Sequence, residues 1–268
     1  MNPSATLSHS AELSYRAYQD RQQAEVTPAG LAARAAKVGA AGKFRRVGAS
    51  WAPVPYVGHA VLSVLATAPE NAPTVTTLGL AQDALVAGFA RPDALYALPK
   101  ESFHQTVANT LSDDRYQRHV VDKGLVAEYP KQVAGALAEL PENGAASVPV
   151  MRMIGISIFG TALGVLGVFE EEAGFDRVIA LRDRFYGSPE IAALGIRRTR
   201  PFIGHVTLAY VESELNATER ERLVAVVSEI NQDLAKQTVR FAMPVAELRS
   251  YEHLAEFRPM PWLPVYRF

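Results

Sequence analysis

Two short runs, Phe103-His104-Gln105-Thr106-Val107 and Gly204-His205-Val206-Thr207-Leu208-Ala209-Tyr210, each set a histidine and a threonine two residues apart in strand-forming sequence. Side chains alternate across a strand, so His205 and Thr207 share one face while Val206 and Leu208 take the other. The same holds for His104 and Thr106. By that alternation Tyr210 falls opposite His205 and is expected to pack. Of the six histidines only these two have a hydroxyl residue two places on. One such pair carries little weight, but two, at similar places in two similar halves, can meet across a single cleft. A fold for this chain has to bring them there.

The rest of the sequence leaves room for that. A length of 268 residues holds one large domain or two fused lobes. A net charge of −1 gives no general pull toward long nucleic acid or an anionic membrane. A local pocket for a small anion fits better. Without cysteine there is no disulfide, thiolate metal site or cysteine nucleophile. Residues 1 to 23 lack the apolar centre of a signal peptide, and no stretch reaches the roughly 18 to 20 apolar residues of a spanning helix. Met153 to Phe169, the longest apolar region, is interrupted by glycines and reads as two strands. A soluble, cytoplasmic, monomeric protein is expected.

Read in order, residues 1–45 form a peripheral N-terminal segment with a short helix over Ala11–Gln23 and an Ala/Gly-rich stretch after it; a lid over the cleft and a simple tail are both open. The Lys43-Phe44-Arg45-Arg46 cluster reads as a solvated patch, and Trp51–Pro55 as an extended approach to a strand over Val57–Ala66. A turn at Glu70–Pro73, a helix over Thr77–Phe89, a short strand over Ala94–Leu98 and a turn at Pro99–Ser102 lead into the His104 strand. The spacing then predicts one long amphipathic helix over Asp113–Leu140, kinked at Pro130, and a turn at Pro141-Glu142-Asn143-Gly144. Residues 46–268 read as a single bilobal domain pivoting near 141–147. In the second half, Val148–Ile158 and Thr161–Val168 form a hairpin, followed by a helix over Glu170–Tyr186, the His205 strand, and a helix over Thr218–Lys236 capped at Asn216. Strands over Val239–Leu248 and Trp262–Phe268 close the chain. The fold class is α+β, built of two similar lobes with antiparallel sheets facing a central cleft and helices outside.

Two imidazoles and two hydroxyls on facing strands suit cleavage of a phosphate ester. One imidazole takes a proton from the attacking water and the other gives one to the leaving oxygen; both titrate near neutrality. The hydroxyls donate to nonbridging oxygens, where charge grows. Two histidines are too few ligands for a metal, and no HxxxH or HxH accompanies them, so neither metal nor cofactor is expected.

These paired motifs resemble the signature of the two-histidine (2H) phosphoesterase superfamily, which includes RNA 2′,3′-cyclic phosphodiesterases and the so-called 2′-5′ RNA ligases. Leu98-Pro99-x-x-Ser102-x-His104-x-Thr106, the run Arg182-Asp183-Arg184 and His205-x-Thr207-Leu208-Ala209-Tyr210 resemble one branch of it more closely. The resemblance implies a bilobal fold with the two motif strands face to face, His104 and His205 as the acid–base pair, and Thr106 and Thr207 as phosphate binders. It implies a small nucleotide or RNA-end phosphoester as substrate, no long-duplex nucleic acid and no membrane. The first motif departs from the pattern at Gln105, where an apolar residue is usual.

Further residues carry two readings each. Arg197, Arg198 and Arg200 precede the second motif and Arg115 follows the first; they can reach a substrate or form exposed clusters. His59 lies in a strand without a hydroxyl partner and reads as structural. His9, His119 and His253 have no assigned role. Phe103 or Trp51 can stack on a base or pack in the core. Three functions follow: a metal-independent cyclic phosphodiesterase, a non-catalytic nucleotide or RNA-end binder on the same fold, and a scaffold in which both motif histidines are core residues.

Overall fold

Ser14 accepts a hydrogen bond from the Ala17 amide (3.3 Å) and starts α1 (Tyr15–Glu25). Thr27 caps α2 (Pro28–Ala35) in the same way, with Pro28 in the first turn, where no amide proton is needed. The computed structural model describes residues 11–89, 91–139 and 147–268. The turn expected at Pro141–Gly144, and with it the pivot near 141–147 apart from its last residue, lies outside them. From residue 11 onward the segment expected to be peripheral is part of the core. Tyr18 and Leu31 are fully buried, and the Tyr18 ring stacks on Phe175 at 4.9 Å.

The chain continues through a hairpin of β1 (Phe44–Val47) and β2 (Ser50–Pro53), which the sequence reading missed; Gly48 supplies the left-handed turn at φ +61°. Next come β3 (Gly58–Val64), α3 (Ala72–Gly88), β4 (Leu95–Ala97) and β5 (His104–Ser112). The long helix expected over Asp113–Leu140 is not continuous. A single turn, α4 (Asp113–Tyr116), widens into a π-type turn over Gln117–Val121, and Gly124, at φ +68°, ends it. α5 (Tyr129–Ala138) then starts afresh, with Pro130 in its first turn rather than inside a helix.

β6 (Val150–Phe159) and β7 (Ala162–Phe169) make the expected hairpin around Gly160. α6 (Glu172–Gly187), α7 (Pro189–Ala193) and β8 (His205–Val211) follow. α8 (Ala217–Leu234) opens with a reciprocal cap, in which Asn216 Oδ1 accepts the Glu219 amide (3.0 Å) and Glu219 Oε2 accepts the Asn216 amide (2.8 Å). The strand expected over Val239–Leu248 is two strands, β9 (Arg240–Ala242) and β10 (Val245–Tyr251), in different sheets. Pro244 between them has no amide proton to give a ladder, so the chain breaks there and crosses over. β11 (Arg258–Pro259) and β12 (Tyr266–Arg267) are short; Trp262, expected in a strand, is 72% exposed.

The result is a mixed α+β fold with two five-stranded antiparallel sheets. One runs β11-β10-β3-β5 with β12 on β10; the other runs β4-β8-β7-β6-β9. Each sheet holds one motif strand. Side chains of both sheets, including Val61, Val107, Leu111, Ile156, Val206 and Leu208, join α1, α3, α5, α6 and α8 in one hydrophobic core. A second small cluster of Ala60, Leu62, Val64 and Tyr251 lies on the other face of the first sheet, with Phe257 packed against it. Among the described residues no helix is long and apolar enough to cross a membrane.

Candidate functional site

β5 and β8 run through the same sequence pattern, His-x-Thr-aliphatic-Ala, as His104-Gln-Thr106-Val107-Ala108 and His205-Val-Thr207-Leu208-Ala209. Their burial follows the same rhythm, with the histidine and threonine half-buried, two consecutive residues buried, and then a half-buried residue again. The cause is a β-bulge at the same place in each. Thr106 and Ala108 face Leu62 and Val61, and Thr207 and Ala209 face Gly164 and Leu163, leaving Val107 and Leu208 as the extra residues. The bulge resets alternation. Asn109 and Tyr210 therefore return to the histidine face, contrary to the simple alternation that put Tyr210 on the other side; its ring approaches Phe44 at 6.0 Å.

Both imidazoles are held in one way. His104 Nδ1 lies 2.7 Å from the Ser102 carbonyl oxygen and His205 Nδ1 lies 3.0 Å from that of Ile203. A carbonyl only accepts, so each Nδ1 carries the proton and each Nε2 is left with its lone pair. The Phe257 ring leans on His104 at 4.2 Å and Phe159 on His205 at 5.2 Å. Burial of the rings lowers both pKa values from 6.5 to about 4; the carbonyl bonds pull the other way. The charge of His104 itself depresses His205, so the two rings feel one another. Neither threonine hydroxyl has a hydrogen-bond partner among the described residues, which leaves both free to donate to a bound anion. A cavity of about 510 Å³ is lined by Glu101, Ser102, Arg249, Glu256 and Phe257; Ser102 and Phe257 touch His104, but none of the four motif side chains lines it.

The sequence reading missed what fixes this face. Three buried glutamines are bonded to the β8 backbone and its lead-in. β4 pairs only with Ala209–Val211, so the His205–Leu208 half lacks a neighbouring strand on that side. Gln105 Oε1 accepts the His205 amide (2.6 Å), and its Nε2 donates to the carbonyls of Ile203 (3.0 Å) and Thr106 (2.7 Å). Gln82 on α3 donates to Leu208 and Leu98 carbonyls, both at 2.7 Å. Gln22 on α1 donates to Gly204 (2.7 Å) and Gly167 (3.0 Å). Gly204 tolerates no side chain, since a Cβ there would come within 2.6 Å of the Gly167 oxygen and 2.8 Å of Met151 Sδ. Arg182, 3% exposed, ties the two halves together. Its Nε binds Glu12 (2.8 Å), Nη1 the Val107 carbonyl (2.5 Å) and Nη2 the Arg200 carbonyl (3.1 Å).

Of the four arginines read as able to reach a substrate or to form exposed clusters, only Arg200 acts electrostatically on a motif imidazole, that of His205. Its charge lowers the His205 pKa, and its own pKa is lowered by burial. Arg115 donates to the Gly195 carbonyl (2.9 Å) and Arg197 to that of Ile196 (2.7 Å); both stand around His119 instead. Arg198 pairs with Asp183 and Glu12. Phe103 is fully buried and packs, and Trp51 meets Tyr96 edge-on at 5.8 Å. His59 is buried between Tyr116 and Tyr129, as a structural residue would be. Among the described residues no three His, Asp or Glu side chains converge where a metal could sit.

The buried histidines make stability depend on pH. Burial lowers His59, like the two motif histidines, to about 4 from 6.5. The unfolded chain takes up protons near 6.5 and the folded chain only near 4. The contribution is therefore complete above 6.5 and is lost as pH falls toward 4. It amounts to about 3 kcal/mol for His59 and less for the two half-buried rings, where water screens the charge. Urea midpoints are expected to fall steadily between pH 6.5 and 4.5, and His59→Leu is expected to flatten that slope. An unchanged slope in the variant would remove His59 from the account.

No family model matches this chain, and no curated protein does. Among solved structures, a conserved protein of unknown function, ATU0111 from Agrobacterium tumefaciens strain C58, is similar at a TM-score of 0.56 and 16% identity, over 78% of this chain and 86% of its own. TT0787 of Thermus thermophilus matches at 0.40 and 14% identity, over 72% and 87%. The first likeness shows a shared fold alone.

Proposed function

We propose that this protein is a metal-independent phosphodiesterase that opens a 2′,3′-cyclic phosphate, or a related nucleotide or RNA-end phosphoester, by two-histidine acid–base catalysis. One observation carries the reading. Two strands from different sheets present His-x-Thr on matching bulged frames, with both Nδ1 atoms tied to the carbonyl two residues back and both Nε2 atoms left with a free lone pair. On this reading each sheet belongs to one lobe of the bilobal arrangement of the two-histidine phosphoesterases, with the cleft between them.

In the reaction a water oxygen attacks phosphorus while one Nε2 accepts the water proton. The bond to the leaving ribose oxygen breaks as the other Nε2–H delivers a proton to it. Thr106 and Thr207 donate to the nonbridging oxygens, whose charge rises on the way to the five-coordinate state. In the free protein, burial keeps both rings neutral at pH 7. A bound phosphate anion offsets that penalty for one ring and lets it act as the acid.

The test is turnover of 2′,3′-cyclic nucleotides and cyclic-phosphate-ended RNA in EDTA, with the product identified as 2′- or 3′-phosphate. Product formation is expected, with one regiochemistry dominant. The low pKa values also favour a second reading, a nucleotide or RNA-end binder that leaves its ligand intact. Tight binding without product after prolonged incubation would replace the enzyme with the binder.

A further inference from the structure

A second group of cations stands away from the motif histidines, where β5 ends. The segment after β5 starts at Asp113 in a left-handed backbone (φ +54°), widens into the π-type turn over Gln117–Val121 and stops at Gly124. π-type turns are rare and frequently mark functional sites. This one carries Arg115, Arg118 and His119 at helical spacing, with Lys123 just beyond. The loop after α7 meets it. Arg115 Nη2 donates to the Gly195 carbonyl (2.9 Å), and the His119 ring lies against Gly195, where a Cβ would come within 2.7 Å of Nδ1. Two residues on, Arg197 Nη1 donates to the carbonyls of Ile196 (2.7 Å) and Ala192. Arg118 Nε donates to the Asp114 carbonyl (3.2 Å) in its own turn. Three guanidinium groups and an imidazole are thus held at one corner by neutral partners, and the Lys123 ammonium adds a fourth cation.

That charge is not matched. Among the described residues no carboxylate pairs with Arg115, Arg118, Lys123 or Arg197. Of the acids nearby in sequence, Asp122 accepts from Gln117 (2.7 Å), Glu128 from Lys131 (3.1 Å) and Glu190 from Ser188 (2.6 Å). Asp113 and Asp114 are exposed and make no ion pair. His119 registers the excess, since burial and then the charges of Lys123, Arg115, Arg118 and Arg197 lower its pKa with no carboxylate opposing them. The carbonyl end of a helical turn favours a cation, yet Arg115 comes from the start of the turn and Arg197 from another element, so that effect does not account for the group.

We propose that Arg115, Arg118, His119, Lys123 and Arg197 form a phosphate-binding surface separate from the motif histidines. Guanidinium forks bind phosphate oxygens through paired donors, and each arginine here keeps donors beyond those it gives to carbonyls. β5 starts at His104 and spans nine residues, roughly 27 Å at about 3.4 Å per step, so a phosphate at this corner is a different group from one at the imidazoles. Its source is a small phosphate or the backbone of a single-stranded RNA. The surface does not depend on any reaction at the imidazoles.

The test follows the His119 imidazole by NMR while pyrophosphate, or a short single-stranded RNA ending in a 3′-hydroxyl, is titrated into wild type and the double variant Arg118→Gln, Lys123→Gln. Those two side chains are exposed and hold no other element in place. A glutamate peptide of matching charge is the control. A phosphate probe is expected to move the His119 signals saturably and to raise the His119 pKa, because an anion offsets the cations around it. The double variant is expected to bind about fivefold or more weakly, with a melt close to wild type, and its salt slope with RNA is expected to flatten by about 1.4, or 0.7 per phosphate contact. RNA binding far tighter than pyrophosphate identifies a nucleic-acid backbone as the ligand; pyrophosphate binding at least as tight identifies a small phosphate. Neither probe carries a cyclic phosphate, so the result is the same whether or not the protein turns one over. No change at His119 with either probe, an equal response to the glutamate peptide, or binding untouched in the double variant overturns the proposal.

Discussion

His104→Ala and His205→Ala are each expected to lower kcat/KM on a 2′,3′-cyclic phosphate by a factor on the order of 10² to 10⁴, the usual worth of a positioned acid or base. Melting temperatures are expected to move little, because each replacement removes one bond to a local carbonyl and a ring that resists protonation. The double variant is expected to lose hardly more than either single one, since acid and base act as a unit. The pH dependence separates this from a binding role. With both free-enzyme pKa values near 4, the singly protonated form is scarce at pH 7. kcat/KM is therefore expected to fall about tenfold per pH unit above roughly pH 5. Substrate raises the pKa of the acid, so kcat is expected to decline only at higher pH. Turnover within a few-fold of wild type in either alanine variant would sink the mechanism. A large drop in melting temperature with unchanged turnover would return both histidines to the core.

The pair of histidines and threonines was legible in the sequence because a strand motif needs only local pattern, with an imidazole and a hydroxyl at spacing two in apolar, β-branched surroundings. Helices α1, α3, α6 and α8 and the β6–β7 hairpin were legible for the same reason, whereas α2 and α7 were not. The long helix over Asp113–Leu140 failed because apolar spacing continued past Gly124 and Pro130, residues that mark one helical segment's end and another's start. Pro244 in an apolar run was the overlooked sign that one expected strand is two. The face of Tyr210 was misassigned because a bulge is a property of two strands together, although the repeated Ala108 and Ala209 after each motif was a visible hint. Gln22 and Gln82 were out of reach, and Arg182 entered the reading through the resemblance with no role attached. A polar residue inside a helix reads as solvent-facing until a distant backbone turns out to need its donors.

Gln105→Leu is the substitution expected to damage the fold most for its size. In the two-histidine phosphoesterase pattern that the first motif resembles, an apolar residue is usual at this position, so leucine would nominally restore the rule. In this chain the side chain is fully buried and makes three bonds, two of them to the segment that carries the other motif. Leucine matches its volume but leaves the His205 amide and the Ile203 carbonyl without that partner, on a stretch of β8 that β4 does not cover. An unsatisfied buried group costs about 1–3 kcal/mol, so a loss of about 3–5 kcal/mol is expected, or about 10 °C in melting temperature at this size. Activity is expected to fall as well, because the Ile203 carbonyl that Gln105 holds is the one that orients the His205 ring. Gln82→Leu removes bonds to Leu208 and Leu98 and is expected to cost similar stability. Its bonds lie beyond Thr207, so it is expected to lower activity less. A Gln105→Leu protein that melts within a degree or two of wild type and keeps full turnover would mean that the two motif strands are positioned by sheet packing and Arg182 alone.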